Sequence, residues 1–135
     1  MASYKALIKN ALDEKGIRYR EPEDGILTIS YGGHNINDID VIVDIDPNEG
    51  KIQLICYSIG KFEQEQFAKA LIACNACNAR FRWVKFSVDE DNEIVVRADA
   101  ILDEETCGEE CFELVVRMIQ IIDDAYPAFM KARWS

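Results

Sequence analysis

The chain has 135 residues, with 25 Asp plus Glu against 15 Lys plus Arg, a net charge of −10, and 49% hydrophobic residues. A chain this long buries roughly two-thirds of its unfolded surface, so disorder is excluded and one domain over residues 1–135 is expected. The acidity excludes nucleic acid and anionic membranes as default partners, and no apolar run approaches the roughly 20 residues of a membrane span. No basic-then-apolar leader opens the sequence, which predicts a soluble cytoplasmic protein.

Ser3 followed by Tyr4, Leu7, Ile8, Ala11 and Leu12 places an apolar stripe at helical spacing, with Gly16 positioned to stop the helix. Glu21-Pro22-Glu23-Asp24-Gly25 reads as a turn, and Ile26 to Tyr31 as a strand ending at Gly32-Gly33. Ile39, Val41, Val43 and Ile45 alternate with Asp40, Ile42, Asp44 and Asp46, which predicts a strand with one buried and one mostly charged face. After the turn at Pro47 to Gly50, Lys51 to Ile59 carries apolar residues on both faces and so belongs nearer the sheet centre.

A second helix is predicted over about 62–78, with Phe67, Ala70, Leu71, Cys74 and Cys77 on its buried face. Phe81 to Val88 and Ile94 to Ile101 form a further pair of strands around an acidic turn at Asp89 to Glu93. The last helix begins near Thr106, whose spacing to Glu109 suits a capping box, and ends around Tyr126-Pro127. Its apolar residues from Cys111 to Ile122 cover an arc of about 220°, more than one core-facing surface requires. That surplus predicts a second partner surface, either within the monomer or in a homodimer.

The cysteines are Cys56, Cys74, Cys77, Cys107 and Cys111, an odd number that points to reduced thiols. Two pairs have workable zinc-ligand spacing, yet Cys74 and Cys77 share a helix face with apolar residues, which favours core filler over a metal or redox site. His34 is the only histidine and sits in a loop, while neither Ser30 nor Ser58 lies in a nucleophile context. Asp89, Asp91 and Glu93 lack the glycine and closing glutamate of a calcium loop, and no phosphate-binding glycine loop follows a strand. No cofactor, metal or catalytic residue is therefore assigned.

The stretch from Ala70 to Ala132 resembles the YbjN family of bacterial proteins, described as sensory transduction regulators. Leu71, Asn75 and Asn78 at the helix end carry the resemblance, with Arg80-Phe81-Arg82-Trp83-Val84-Lys85-Phe86, the acidic turn at Asp89 to Asn92, Val96-Arg97-Ala98-Asp99 and Tyr126-Pro127. The resemblance implies the fold of type III secretion chaperones: an α+β domain with a five-stranded antiparallel sheet and three helices in the order α-β-β-β-α-β-β-α, usually homodimeric. The element order read from periodicity is the same.

Read physically, Asn75 and Asn78 are placed to satisfy carbonyls at the helix end, and Arg97 and Asp99 to pair across the hairpin with Arg82 or Lys85. The expected function is non-enzymatic: a regulatory or chaperone-like homodimer that binds a polypeptide partner. Ile42, Ile55, Tyr57, Met118, Ile121 and Ile122 are the expected contact residues, with the basic segment near Arg80 and Arg82 beside them. The alternative is a small-molecule or metal-responsive sensory regulator.

Overall fold

The computed structural model describes residues 3–57 and 59–135, so Ser58 lies outside the described residues. The first helix, α1 (Tyr4–Glu14), starts where Ser3 Oγ accepts the Ala6 N–H at 3.1 Å and buries Ile8 and Leu12. Six strands follow the order β1-β2-β3-β4-β6-β5 in one antiparallel sheet: β1 (Arg20–Glu23), β2 (Ile26–Tyr31), β3 (Ile39–Ile45), β4 (Lys51–Cys56), β5 (Lys85–Val88) and β6 (Ile94–Ile101).

The sheet therefore has six strands where five were expected. The additional strand, β1, contains Pro22, which an edge strand tolerates, and it turns into β2 through Asp24-Gly25. Long-range ion pairing holds it: Lys9 Nζ lies 2.6 Å from Glu21 Oε1, while Glu21 Oε2 accepts the Gly25 N–H at 3.1 Å. The Lys9 ammonium, followed by the Gly25 N–H, lowers the Glu21 pKa below its ordinary range.

The alternation in β3 is as expected, with Ile39, Val41, Val43 and Ile45 buried and Asp40 and Asp44 exposed. β4 lies in the sheet interior. A 3₁₀ turn at Gln64–Gln66 opens the second helix, α2 (Phe67–Arg80), whose buried face is built from Ala70, Ala73, Cys74 and Cys77. Phe67 and Leu71, expected on that face, are exposed instead.

β5 is four residues long rather than the eight expected, because Trp83 adopts a left-handed φ of +76° and turns the chain out of the ladder. Beyond β5 the sheet edge is closed by Asn78, whose Oδ1 accepts the Phe86 N–H at 2.7 Å and whose Nδ2 donates to Phe86 O at 3.0 Å. The side chain thus imitates a neighbouring strand. Asn78→Ala is expected to cost about 1–2 kcal/mol through two lost bonds, read as a lower midpoint in urea unfolding.

The last helix, α3 (Cys107–Trp134), departs from expectation at both ends. Thr106 Oγ1 donates to Glu110 Oε1 at 2.6 Å and Glu109 pairs with Lys15 at 3.0 Å, so the capping box does not form. At its other end the helix runs through Pro127 instead of stopping there. Proline has no N–H for the carbonyl four residues back, Asp123 O, and Asn35 Nδ2 supplies that donor at 3.0 Å.

α3 packs over the buried face of the sheet, with α1 against its start and α2 against its end. At the α1 crossing a Cβ on Gly108 would stand 2.6 Å from Ala11 Cβ, so this close approach needs glycine. No helix among the described residues is long and apolar enough to cross a membrane.

Candidate binding surface

Because the helices cover one face of the sheet, side chains on the other face look outward. One row of that face runs Arg20, Thr28, Ile42, Ile55, Arg97 and Lys85 from strand to strand. Ile42 and Ile55 are directly opposed and half-buried, and Tyr57 stands beyond the end of β4 and is exposed. Polar pairs surround them: Ser30 Oγ donates to Asp40 Oδ1 at 2.6 Å, and Gln53 Nε2 to Asp99 Oδ1 at 2.9 Å.

The pairing expected for Arg97 and Asp99 is corrected by this register. Arg97 stands opposite Lys85, a like charge, and its Nη1 donates to Ser87 Oγ at 3.3 Å, while Asp99 is engaged by Gln53. Asn75 is exposed; of the two asparagines, Asn78 makes the bonds. Arg80 and Arg82 are exposed, with the Arg80 guanidinium 4.6 Å from the Phe81 ring centroid.

The contact residues expected on α3 divide. Met118 and Ile122 are fully buried in the core, and Ile121 is half-buried against it. Both α1 and α2 pack on this helix, so most of its wide apolar arc is used inside the monomer. What remains are two flanks. One forms a groove of about 390 Å³ in which Phe112, Val116 and Ile119 face Ile17, Ile29 and Tyr31. The other forms a groove of about 670 Å³ in which Leu114 faces Trp83, Ala100 and Ile101.

Residue-by-residue reading of the sequence missed Trp83 and Ile101, which are 60% and 82% exposed. Nothing in the sequence signals them: both strands read as eight residues long, and β6 outruns β5 only because a tryptophan, which residue type favours in strands, leaves the ladder. On α2, Phe67, Leu71 and Ile72 are further large apolar residues left exposed.

The thiols offer no reactive site. All five are free and buried; burial pushes Cys56 and Cys111 up to about 12 and Cys74 up to about 11. Cys107 and Cys111 sit at the start of α3, whereas Cys74 and Cys77 sit on α2, which packs against its end, so the two pairs do not converge. No three His, Cys, Asp or Glu side chains among the described residues gather as metal ligands. His34 is an exposed loop residue whose main-chain N–H donates to Asp123 Oδ2 at 3.1 Å. Asp89 Oδ1 accepts from the Asp91 and Glu93 N–H groups at 2.9 and 3.0 Å, which makes the acidic segment a self-bonded hairpin turn.

Solved structures share this architecture. YbjN from E. coli, described as a putative transcription regulator, aligns with a TM-score of 0.58 at 16% identity over 89% of each chain. A chain of the heterodimeric ExoU–SpcU complex from the type III secretion system of Pseudomonas aeruginosa aligns at 0.58 and 14% identity, over 93% of this chain and 97% of that one. A chain of the ExsC–ExsE complex aligns at 0.52 and 17% identity, over 90% and 86%. These likenesses establish the fold, an α+β architecture like that of type III secretion chaperones. No curated protein matches the sequence. The YbjN family, described as a putative bacterial sensory transduction regulator, matches residues 5–131, and the chain belongs to that family.

Proposed function

We infer that this protein is a non-enzymatic, chaperone-like or regulatory molecule that binds a segment of another polypeptide and acts as a homodimer in the cytoplasm. The observation that carries this reading is the apolar surface left over after the core is complete: the second α3 groove with Trp83 and Ile101, and the Ile42, Ile55 and Tyr57 island. Apolar area of that kind, rimmed by charge, is the ordinary mark of a protein-binding surface. Complexes named among the structural neighbours, ExoU–SpcU and ExsC–ExsE, support the same reading by analogy of fold. Five free thiols fit a reducing compartment.

The dimer reading draws on the large apolar residues that α2 leaves exposed, Phe67 and Leu71 on one flank and Ile72 on another. Sedimentation velocity is expected to give the mass of two chains. Ile72→Lys, at a site 70% exposed and so without cost to the fold, is expected to weaken association by about tenfold or more. A wild-type monomer at all concentrations removes the homodimer from the proposal.

Affinity purification from the native host at low salt, with identification of the co-purifying polypeptides, tests partner binding itself. The groove beside Phe112 and Val116 gives the sensory alternative a physical basis, since an apolar cleft of about 390 Å³ suits a small effector. Thermal stabilisation by a metabolite or divalent ion, without polypeptide capture, favours that alternative.

A further inference from the structure

We propose that the unpaired half of β6 is a strand-addition site, which takes an extended, Lys- or Arg-bearing apolar segment of a partner polypeptide into the groove beside Leu114 and Trp83. The proposal rests on the polypeptide-binding function above and names where and how the segment is held.

The ladder arithmetic defines the site. β4 pairs with β6 from Val96 to Ile101, but β5 pairs with it only from Ile94 to Arg97. In an antiparallel sheet successive residues turn their N–H and C=O groups to opposite neighbours. Leu102 N–H donates to Gly50 O and Ile94 N–H to Gly60 O, so even-numbered residues of this strand bond toward β4. Asp99 and Ile101 therefore direct their main-chain groups the other way, past the end of β5, where no strand of the described residues stands. The ladder would have continued through Trp83 opposite Asp99. Instead Trp83 sits at φ +76°, a conformation bulky residues rarely adopt, and the chain swings off the edge.

Exposed strand edges are normally blunted, and this protein does blunt one: Asn78 occupies the outer edge of β5 with both its amide groups. Among the described residues, none covers the half-edge at Asp99 and Ile101 in this way. It opens into the groove of about 670 Å³, where Leu114 and Trp83 supply apolar walls and Ile101 is 82% exposed. A guest strand beside β6 would turn alternate side chains toward Ala100 and Leu114 and donate to and accept from the main chain of Asp99 and Ile101.

Charge selects the guest. Asp99, Glu109, Glu110 and Glu113 line the groove. Arg117, bonded to Glu113 and 5.7 Å from the Trp83 ring centroid, is the one cation among the lining residues. Lys15 pairs with Glu109 from outside, and Asp99 and Glu110 accept only from the neutral Gln53 and Thr106, so the balance stays acidic. A second copy of this groove would bring carboxylates against carboxylates, so self-pairing is disfavoured, whereas a basic segment is attracted and oriented.

The test titrates the isotope-labelled full chain with a synthetic peptide in which Val alternates with Lys, alongside a counterpart carrying Glu for Lys. The Lys peptide is expected to shift the Asp99 and Ile101 amide resonances and slow their hydrogen exchange, and the Glu peptide to bind about tenfold more weakly or not at all. Ile101→Pro removes a donor that no acceptor among the described residues uses, at a strand edge where proline is tolerated, and is expected to weaken Lys-peptide binding by about tenfold with an unchanged melting curve. Glu113→Lys, which leaves the main chain intact, is expected to weaken it too and to flatten its salt dependence. Binding that ignores both variants, or shifts confined to Ile42, Ile55 and Tyr57, overturns the β6 site and leaves polypeptide binding standing. Protection of the same amides on concentrating the protein alone assigns the edge to a second copy and overturns the proposal. No binding of either peptide, by a protein that retains polypeptides from its native host, also overturns it.

Discussion

Phe129→Ala is expected to destabilise the protein by about 3–5 kcal/mol, read as a lower urea midpoint with an unchanged slope. Phe129 is fully buried, and its ring lies 5.5 Å from that of Phe86, centroid to centroid, with the planes inclined by 32°. Phe86 belongs to β5, the shortest strand at that edge, so this stacked pair ties the end of α3 to the short edge strand. Alanine would remove most of a large side chain from a site walled by sheet and helix, leaving a cavity that cannot collapse easily. Phe129→Leu, which keeps much of the volume, is expected to cost about half as much or less. A Phe129→Ala protein within about 1 kcal/mol of wild type would mean that the helix beyond Pro127 contributes little to the fold.

That residue also marks a boundary between what is legible in a sequence and what is not. The alternation of Ile39, Val41, Val43 and Ile45 with Asp40 and Asp44 reports burial directly, because a strand turns successive side chains to opposite faces. Ser3 and Gly16 bracket α1 for equally local reasons. Pro127 is local too, and it misleads: the helix continues because Asn35, far away in sequence, provides the missing donor. β1 escapes notice for the same reason, since its support is the Lys9 to Glu21 pair rather than its own composition.

The binding surface was legible in part. Periodicity gives the width of the apolar arc on α3 but not which neighbours cover it, so Met118 and Ile122 could not be told from Leu114 before α1 and α2 were placed. On α2 the pattern is reversed from the usual one. Small residues face the core where helices approach closely, and the large Phe67 and Leu71 face out. Neither Asp99 nor Ile101 carries any signal of a free edge; that depends on the backbone at Trp83, which residue type does not encode.

Asp123→Ala is expected to lower the melting temperature by about 5–10 °C at neutral pH. Asp123 is buried on α3, and its carboxylate accepts three main-chain N–H groups from one loop: Asn35 at 2.7 Å, His34 at 3.1 Å and Ile36 at 3.2 Å. The loop can come this close because residue 33 is glycine; a Cβ there would stand 2.6 Å from Asp123 Cγ. Its own carbonyl meanwhile receives the Asn35 side chain, so a single helical residue anchors the loop twice and the helix survives its proline. The Asn35 N–H, then those of His34 and Ile36, hold the carboxyl below the usual carboxylate range, against the opposing effect of burial. A depressed folded-state pKa fixes the sign. The stabilisation is present in full above the unfolded value near pH 4 and is lost as the pH falls through the folded value. Wild-type melting temperature should therefore drop below about pH 4 by more than that of Asp123→Asn, which has no proton to gain there. Asp123→Asn should itself sit below wild type at pH 7, since its amide turns an N–H toward a loop N–H. If the two proteins lose stability in parallel on acidification, the loop is held by packing, and the carboxylate is not its anchor.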